Sequence, residues 1–153
     1  MSILGTKGLS VAVKLFLDMV FLGGIIIYIS LPFTMKWYFA LLGNTSSENY
    51  YFLLAFLYVT GLFSLDIVHQ LRKIFKTLTR MNPFMMDNVK SLKSMAIAAF
   101  AISATYIVKL FFYNTILTMI VTMIFIIAGL FSIILSEVFR QAVIFKEEND
   151  LTI

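Results

Sequence analysis

The sequence predicts an all-α integral membrane protein: one four-helix bundle domain over residues 1–153, with its N- and C-termini cytoplasmic. Three observations predict it. Of the 153 residues, 61% are hydrophobic and only 13% charged, more apolar surface than a soluble fold this small can bury. The charges leave four charge-poor stretches, between Asp18 and Lys36, Glu48 and Asp66, Lys93 and Lys109, and Lys109 and Glu137. Between the second and third stretches lie six basic residues, Arg72, Lys73, Lys76, Arg80, Lys90 and Lys93, with Asp87 the only acid among them. Apolar segments flanking a Lys/Arg-rich loop read as spans whose connection stays in the cytoplasm.

Crossing the hydrocarbon core takes roughly 20 helical residues, and flanking charges can snorkel to the interface. The first span is expected near 12–33. Lys7 and Lys14 lead into it, and its apolar run is too long for a signal-peptide core. An outer connection over 34–49 follows, with Lys36-Trp37-Tyr38-Phe39 and Tyr50-Tyr51-Phe52 suited to the headgroup layer and 43–47 an exposed loop. The second span is expected near 50–71, and the basic loop over 72–93.

The third span, near 94–113, carries Ala96, Ala98, Ala99, Ala101, Ser103 and Ala104, small residues that let helices approach closely in lipid. Tyr113-Asn114-Thr115 supplies a turn, because one helix through the whole apolar run would be about twice the bilayer thickness. The fourth span, near 116–138, continues into a tail over 140–153, helical to about Glu148. Ten of the twelve basic residues then share the cytoplasmic side, with Lys36 and Lys109 left near the other.

Three acids lie near the cytoplasmic ends of the spans: Asp18, four residues after Lys14; Asp66, three before His69; and Glu137, three before Arg140. Their shared depth predicts that they converge, within reach of Lys14, His69 or Arg140, since a carboxylate facing lipid is costly. One reading is a polar vestibule that binds a cation, a proton or a partner's basic segment. The other is a ring of interfacial ion pairs stapling helix ends together.

No cofactor is expected. Cysteine is absent and His69 is the only histidine, so thiolate, haem and zinc chemistry lack ligands. No nucleophile–base pair or phosphate-cradling glycine loop appears, which points away from an enzyme. The net charge of +4 borders membrane segments, so no direct nucleic-acid binding is expected.

In the basic loop, Pro83 should end the preceding helix, and Asp87 and Asn88 should cap the next one. Phe84 should fold back against the bundle end or the membrane interface. The basic loop (Arg80, Asn82, Pro83, Phe84, Lys90) and the acidic tail (Glu147, Glu148, Asp150) make a docking surface for a soluble partner, and they can also pair with each other.

The string Asn82-Pro83-Phe84, then Asp87-Asn88-Val89-Lys90-Ser91-Leu92, and the closing Lys146-Glu147-Glu148-Asn149-Asp150-Leu151-Thr152-Ile153 resemble a bacterial membrane family, domain of unknown function 2975. That resemblance covers most of the chain and implies four spans in a bacterial inner membrane. The chain departs from the family at Met85-Met86, where Thr and acids are common, so capping should shift towards Asp87. Family genes often neighbour one for a small helix-turn-helix regulator of the Xre type. The resemblance thus implies a non-enzymatic sensor or regulator holding a DNA-binding partner. The alternative is a small transporter or bacteriocin-immunity-type protein acting as a homo-oligomer. Against it stand the apolar midplane stretches Ile25-Ile26-Ile27 and Met123-Ile124-Phe125, because alternating access needs a polar site reachable from both faces.

Overall fold

In a computed structural model, which describes residues 7–43, 47–80 and 82–152, four long helices follow one another: α1 (Lys7–Leu41), α2 (Ser47–Thr79), α3 (Met86–Phe112) and α4 (Ile116–Leu151). All four are long and apolar enough to cross a membrane. The expected loop centre at 44–46, Met81 in the basic loop and Ile153 at the tail end lie outside the described residues.

The helices overrun the expected spans. At about 1.5 Å per residue, the 36 residues of α4 reach roughly 54 Å, against a hydrocarbon core of about 30 Å. The outer connection shrinks from 34–49 to 42–46. The basic loop shrinks from 72–93 to 80–85, so that most of its charges ride on helix. The tail also stays helical to Leu151 rather than Glu148.

Pro32 sits inside α1 and cannot donate to the carbonyl one turn back, yet the helix continues. The Tyr50 hydroxyl of α2 donates to the Pro32 carbonyl at 3.3 Å and ties the two helices there. The same end is zipped by aromatic pairs, Phe39 with Tyr50 at 5.7 Å and Phe52 with Phe112 at 5.1 Å. Tyr113, in the turn, donates to Asn49. Thr115 then caps α4 by accepting from the Thr118 amide at 3.2 Å.

The helices pack in chain order, α1 on α2, α2 on α3, α3 on α4. Among the described residues no Cα of α1 comes within 8 Å of α3 or α4. The bundle is therefore open between its first and last helices. At mid-depth this opening forms an apolar groove of about 340 Å³, walled by all four helices through residues such as Tyr28, Gly61, Tyr106 and Phe125.

The tightest seam joins α3 to α4. Ala96, Ala98, Ala99, Ile102 and Ser103 are buried on α3, and Thr118, Thr122, Gly129, Ser132 and Ser136 on α4. Small side chains permit the approach. A Cβ at Gly129 would lie 2.8 Å from the Phe100 ring, and the Ser132 hydroxyl donates to the Leu92 carbonyl at 2.6 Å.

Candidate functional site

The charges gather at one end of the bundle, built around the last three turns of α2. Helical spacing fans them onto two faces. Arg72 turns towards α1, while Gln70, Lys73, Thr77 and Arg80 recur every three or four residues towards α3.

On the α1 side, Arg72 Nε lies 2.5 Å from Asp18 Oδ1. The guanidinium also stacks 4.4 Å above the Phe21 ring, and Phe21 lies 5.8 Å from the His69 ring. Lys14, Asp18, His69 and Arg72, with Lys73 and Lys76, line a cavity of about 400 Å³ between α1 and α2. On the α3 side, Asp66 accepts from Gln70 Nε2 at 3.1 Å and from the Ser94 hydroxyl at 3.3 Å. On α4, Glu137 takes both a Nε–H and an Nη2–H from Arg140, at 2.8 and 2.6 Å, and a third bond from Gln141. The carboxylate's hydrogen bonds and charge push the Arg140 guanidinium further above its ordinary range.

The three acids thus share one end of the bundle without converging. Asp18 lies in the α1–α2 seam, Asp66 in the α2–α3 seam, and Glu137 half-exposed on α4. The open α1–α4 edge is the reason, since convergence requires the bundle to close. Asp18 finds Arg72, 54 residues away, rather than Lys14, and Asp66 finds Gln70 and Ser94 rather than His69. Only Glu137 keeps the neighbour its spacing suggested. Two of the acids therefore join adjacent helices, Asp18 through an ion pair and Asp66 through neutral donors.

The 80–85 turn is locked from inside. Asn82 N–H donates back to the Thr77 carbonyl at 3.1 Å, where Pro83 ends the helical run. Asn88, 1% exposed, donates to Thr77 Oγ1 at 2.7 Å and to the Pro83 carbonyl at 2.6 Å. It does not cap α3. The N-cap residue is Met85, which offers no side-chain acceptor, and Asp87 sits exposed in the first turn. Asn88 is drawn inward instead because two part-buried acceptors behind the turn take its N–H groups.

Phe84 folds against Phe139 of α4, with ring centroids 5.5 Å apart, and stays 44% exposed. Turn and tail do touch, through Lys146 Nζ and Asn82 Oδ1 at 3.2 Å. The tail acids take no part. Glu147, Glu148 and Asp150 are exposed, and no described cation lies within 4 Å of their carboxylates. Arg80 and Lys90 are likewise exposed and unpaired among the described residues.

Four residues escaped the sequence reading: Gln70, Ser94, Asn88 as an interior tie, and Arg72 as the partner of Asp18. Gln70 had a signal, four residues after Asp66 on the same face. The other three act across helices, where local spacing says nothing. Lys109, left near the outer side by its position in the chain, places its ammonium 5.0 Å over the Phe56 ring. Among the described residues no three His, Asp or Glu side chains group closely enough to hold a metal ion.

No curated protein and no solved structure matches the chain. The sequence model of one family, described as protein of unknown function DUF2975, matches residues 34–153, from the last turns of α1 through α4. The chain is accordingly a member of the DUF2975 family, a four-helix protein of the membrane.

Proposed function

We propose that this protein is a non-enzymatic sensor or regulator of the bacterial cytoplasmic membrane, with its basic end and both termini inside. It docks a soluble helix-turn-helix regulator of the Xre type on the surface formed by Arg80, Asn82, Pro83, Phe84 and Lys90 and by the tail acids Glu147, Glu148 and Asp150. The carrying observation is the last stretch of α4: a helix that outruns the bilayer and ends in three exposed carboxylates with no described cation beside them. DNA-binding proteins present clustered Lys and Arg to phosphate, and a fixed acidic helix end offers such a surface an alternative partner. Docking of this kind removes the regulator from DNA without the membrane protein touching DNA itself.

The test is co-purification of the regulator encoded beside the gene with the full-length protein. Retention by the wild type and its loss on deleting 147–153 supports the reading. Failure to retain any soluble partner overturns it.

A second reading, a small oligomeric transporter or immunity-type protein, draws support from the mid-depth groove. Its walls carry Tyr28, Thr60, Ser64 and Tyr106 but no ionisable carboxylate, which weighs against ion-coupled transport. Proton-coupled flux in liposomes, abolished by Asp18→Asn or Asp66→Asn, would reverse the ranking.

A further inference from the structure

The α2–α3 seam at the basic end opens into a groove of about 560 Å³ whose lining has a consistent chemistry. From α2 come Lys73, Lys76 and, just past its end, Arg80; from α3 comes Lys90. Ser91, Ser94, Gln70 and Thr77 add hydroxyl and amide groups between them. The inner end is closed where Gln70 Nε2, Ser94 Oγ and Asp66 bond to one another, so the groove stops before the apolar layer. Asp87 is the one acid in the lining, and it is exposed. No described carboxylate comes within 4 Å of Lys73, Lys76, Arg80 or Lys90.

Charges that serve only to orient a membrane protein need no mutual arrangement. These occupy facing stripes of two helices, at 73, 76 and 80 on one and at 90 on the other, with the Ser91 hydroxyl between them, while Gln70, Thr77 and Ser94 already donate within the protein. The local excess is two positive charges, four cations against Asp87 in the lining and Asp66 at the closed inner end. The Asn88 tie from Thr77 to Pro83 holds the two stripes at a fixed separation before any ligand arrives. On the α1 side of α2, which Lys73 and Lys76 also border, Arg72 is already neutralised by Asp18.

We propose that this groove is a phosphate-binding site, with Lys73, Lys76, Arg80 and Lys90 supplying charge and the Ser91 hydroxyl supplying a hydrogen bond. The phosphate is carried by an anionic phospholipid headgroup or by a soluble phosphate compound, since the groove lies where a helix pair meets the headgroup layer and also opens to the aqueous side. The site does not depend on the docking of a soluble regulator, and purified protein alone tests it.

Full-length protein in neutral detergent is compared in mixed micelles with phosphatidylglycerol, with phosphatidylcholine, and with inorganic pyrophosphate in the aqueous phase. Thermal unfolding and native mass spectrometry of retained lipid are the readouts. Phosphatidylglycerol or pyrophosphate should raise the melting temperature and phosphatidylcholine should not. Lys90→Gln should weaken that binding roughly fivefold, and Lys73→Gln with Lys90→Gln roughly 25-fold. Lys93→Gln removes the same charge from an exposed position on α3 outside the groove and should leave it unchanged. Retention of phosphatidylglycerol that pyrophosphate does not displace assigns a headgroup; stabilisation by pyrophosphate that displaces the lipid assigns a soluble phosphate. The proposal is overturned if neither ligand stabilises the wild type, or if Lys93→Gln loses as much binding as Lys90→Gln.

Discussion

The two helical hairpins of this protein are held by different means. Between α3 and α4 the seam is made of alanines, serines, threonines and a glycine, with the Phe100 ring seated on Gly129 and the Ser132 hydroxyl on a backbone carbonyl. Between α1 and α2 the ties are an ion pair at one end, aromatic pairs at the other, and Gly24 and Gly61 against the side chains of Leu65 and Tyr28. The buried hydrophobic residues of α1 are Leu17 and Met35, and its Ile26, Ile29 and Phe33 face outward. In lipid no hydrophobic driving force separates these hairpins, so close backbone approach decides which seam is firm. The third and fourth helices form the scaffold, and among the described residues the backbone of α1 packs on α2 alone. The family match begins at residue 34, so it takes in the whole scaffold and only the end of α1.

The largest expected effect comes from overfilling the firm seam. Gly129→Leu should destabilise by about 3 kcal/mol or more, because even a Cβ there meets the Phe100 ring at 2.8 Å. Gly23→Ala, on α1 with nothing within 4 Å of the added methyl, should cost nothing. Unfolding in detergent micelles measures both. Equal losses for the two would mean that the seam at Gly129 is no tighter than an open stretch of α1.

Next is the ion pair. Asp18→Asn leaves Arg72 without its carboxylate, and since both side chains are about one-third exposed the coupling should be about 1 kcal/mol. A double-mutant cycle with Arg72→Gln reads it directly. A coupling near zero would mean that the aromatic end and the Gly24 and Gly61 contacts hold α1.

Phe84→Ala should cost about 0.5–1.5 kcal/mol through its ring pair with Phe139, and should weaken retention of a soluble partner while insertion is unchanged. Lys90→Ala should weaken that retention less, and more so at low salt than at high. If Phe84→Ala retains the partner as the wild type does, the turn is only a connector and docking rests with the tail. The smallest effect is that of Ser132→Ala, about 0.6 kcal/mol for one hydrogen bond between helices in a membrane.

The four helices were legible because charges punctuate the chain at bilayer-length intervals, and Tyr113-Asn114-Thr115 was legible as a turn because one helix through the whole apolar run would be about twice the bilayer thickness. Helix ends were not. Lys36-Trp37-Tyr38 suits the headgroup layer equally well inside a helix, and the run from Arg72 to Lys76 keeps its helical spacing after the membrane ends. The small-residue face of α3 read correctly as a packing surface, although nothing in its composition said that α4, and not α1, would occupy it. At the charged end, local spacing found Glu137 with Arg140 and missed Asp18 with Arg72, because sequence periodicity reports one helix face and says nothing about the helix opposite. The openness between α1 and α4 was invisible for the same reason.

The docking proposed for the basic end requires that it face the cytoplasm. Because the chain has no cysteine, single thiols can be placed at will. Leu42→Cys lies in the connection after α1 and Asn149→Cys near the end of α4, both exposed. Intact cells treated with a membrane-impermeant maleimide should label Leu42→Cys and leave Asn149→Cys unlabelled until the membrane is permeabilised. Labelling of Asn149→Cys in intact cells, with Leu42→Cys protected, would invert the topology and contradict the account.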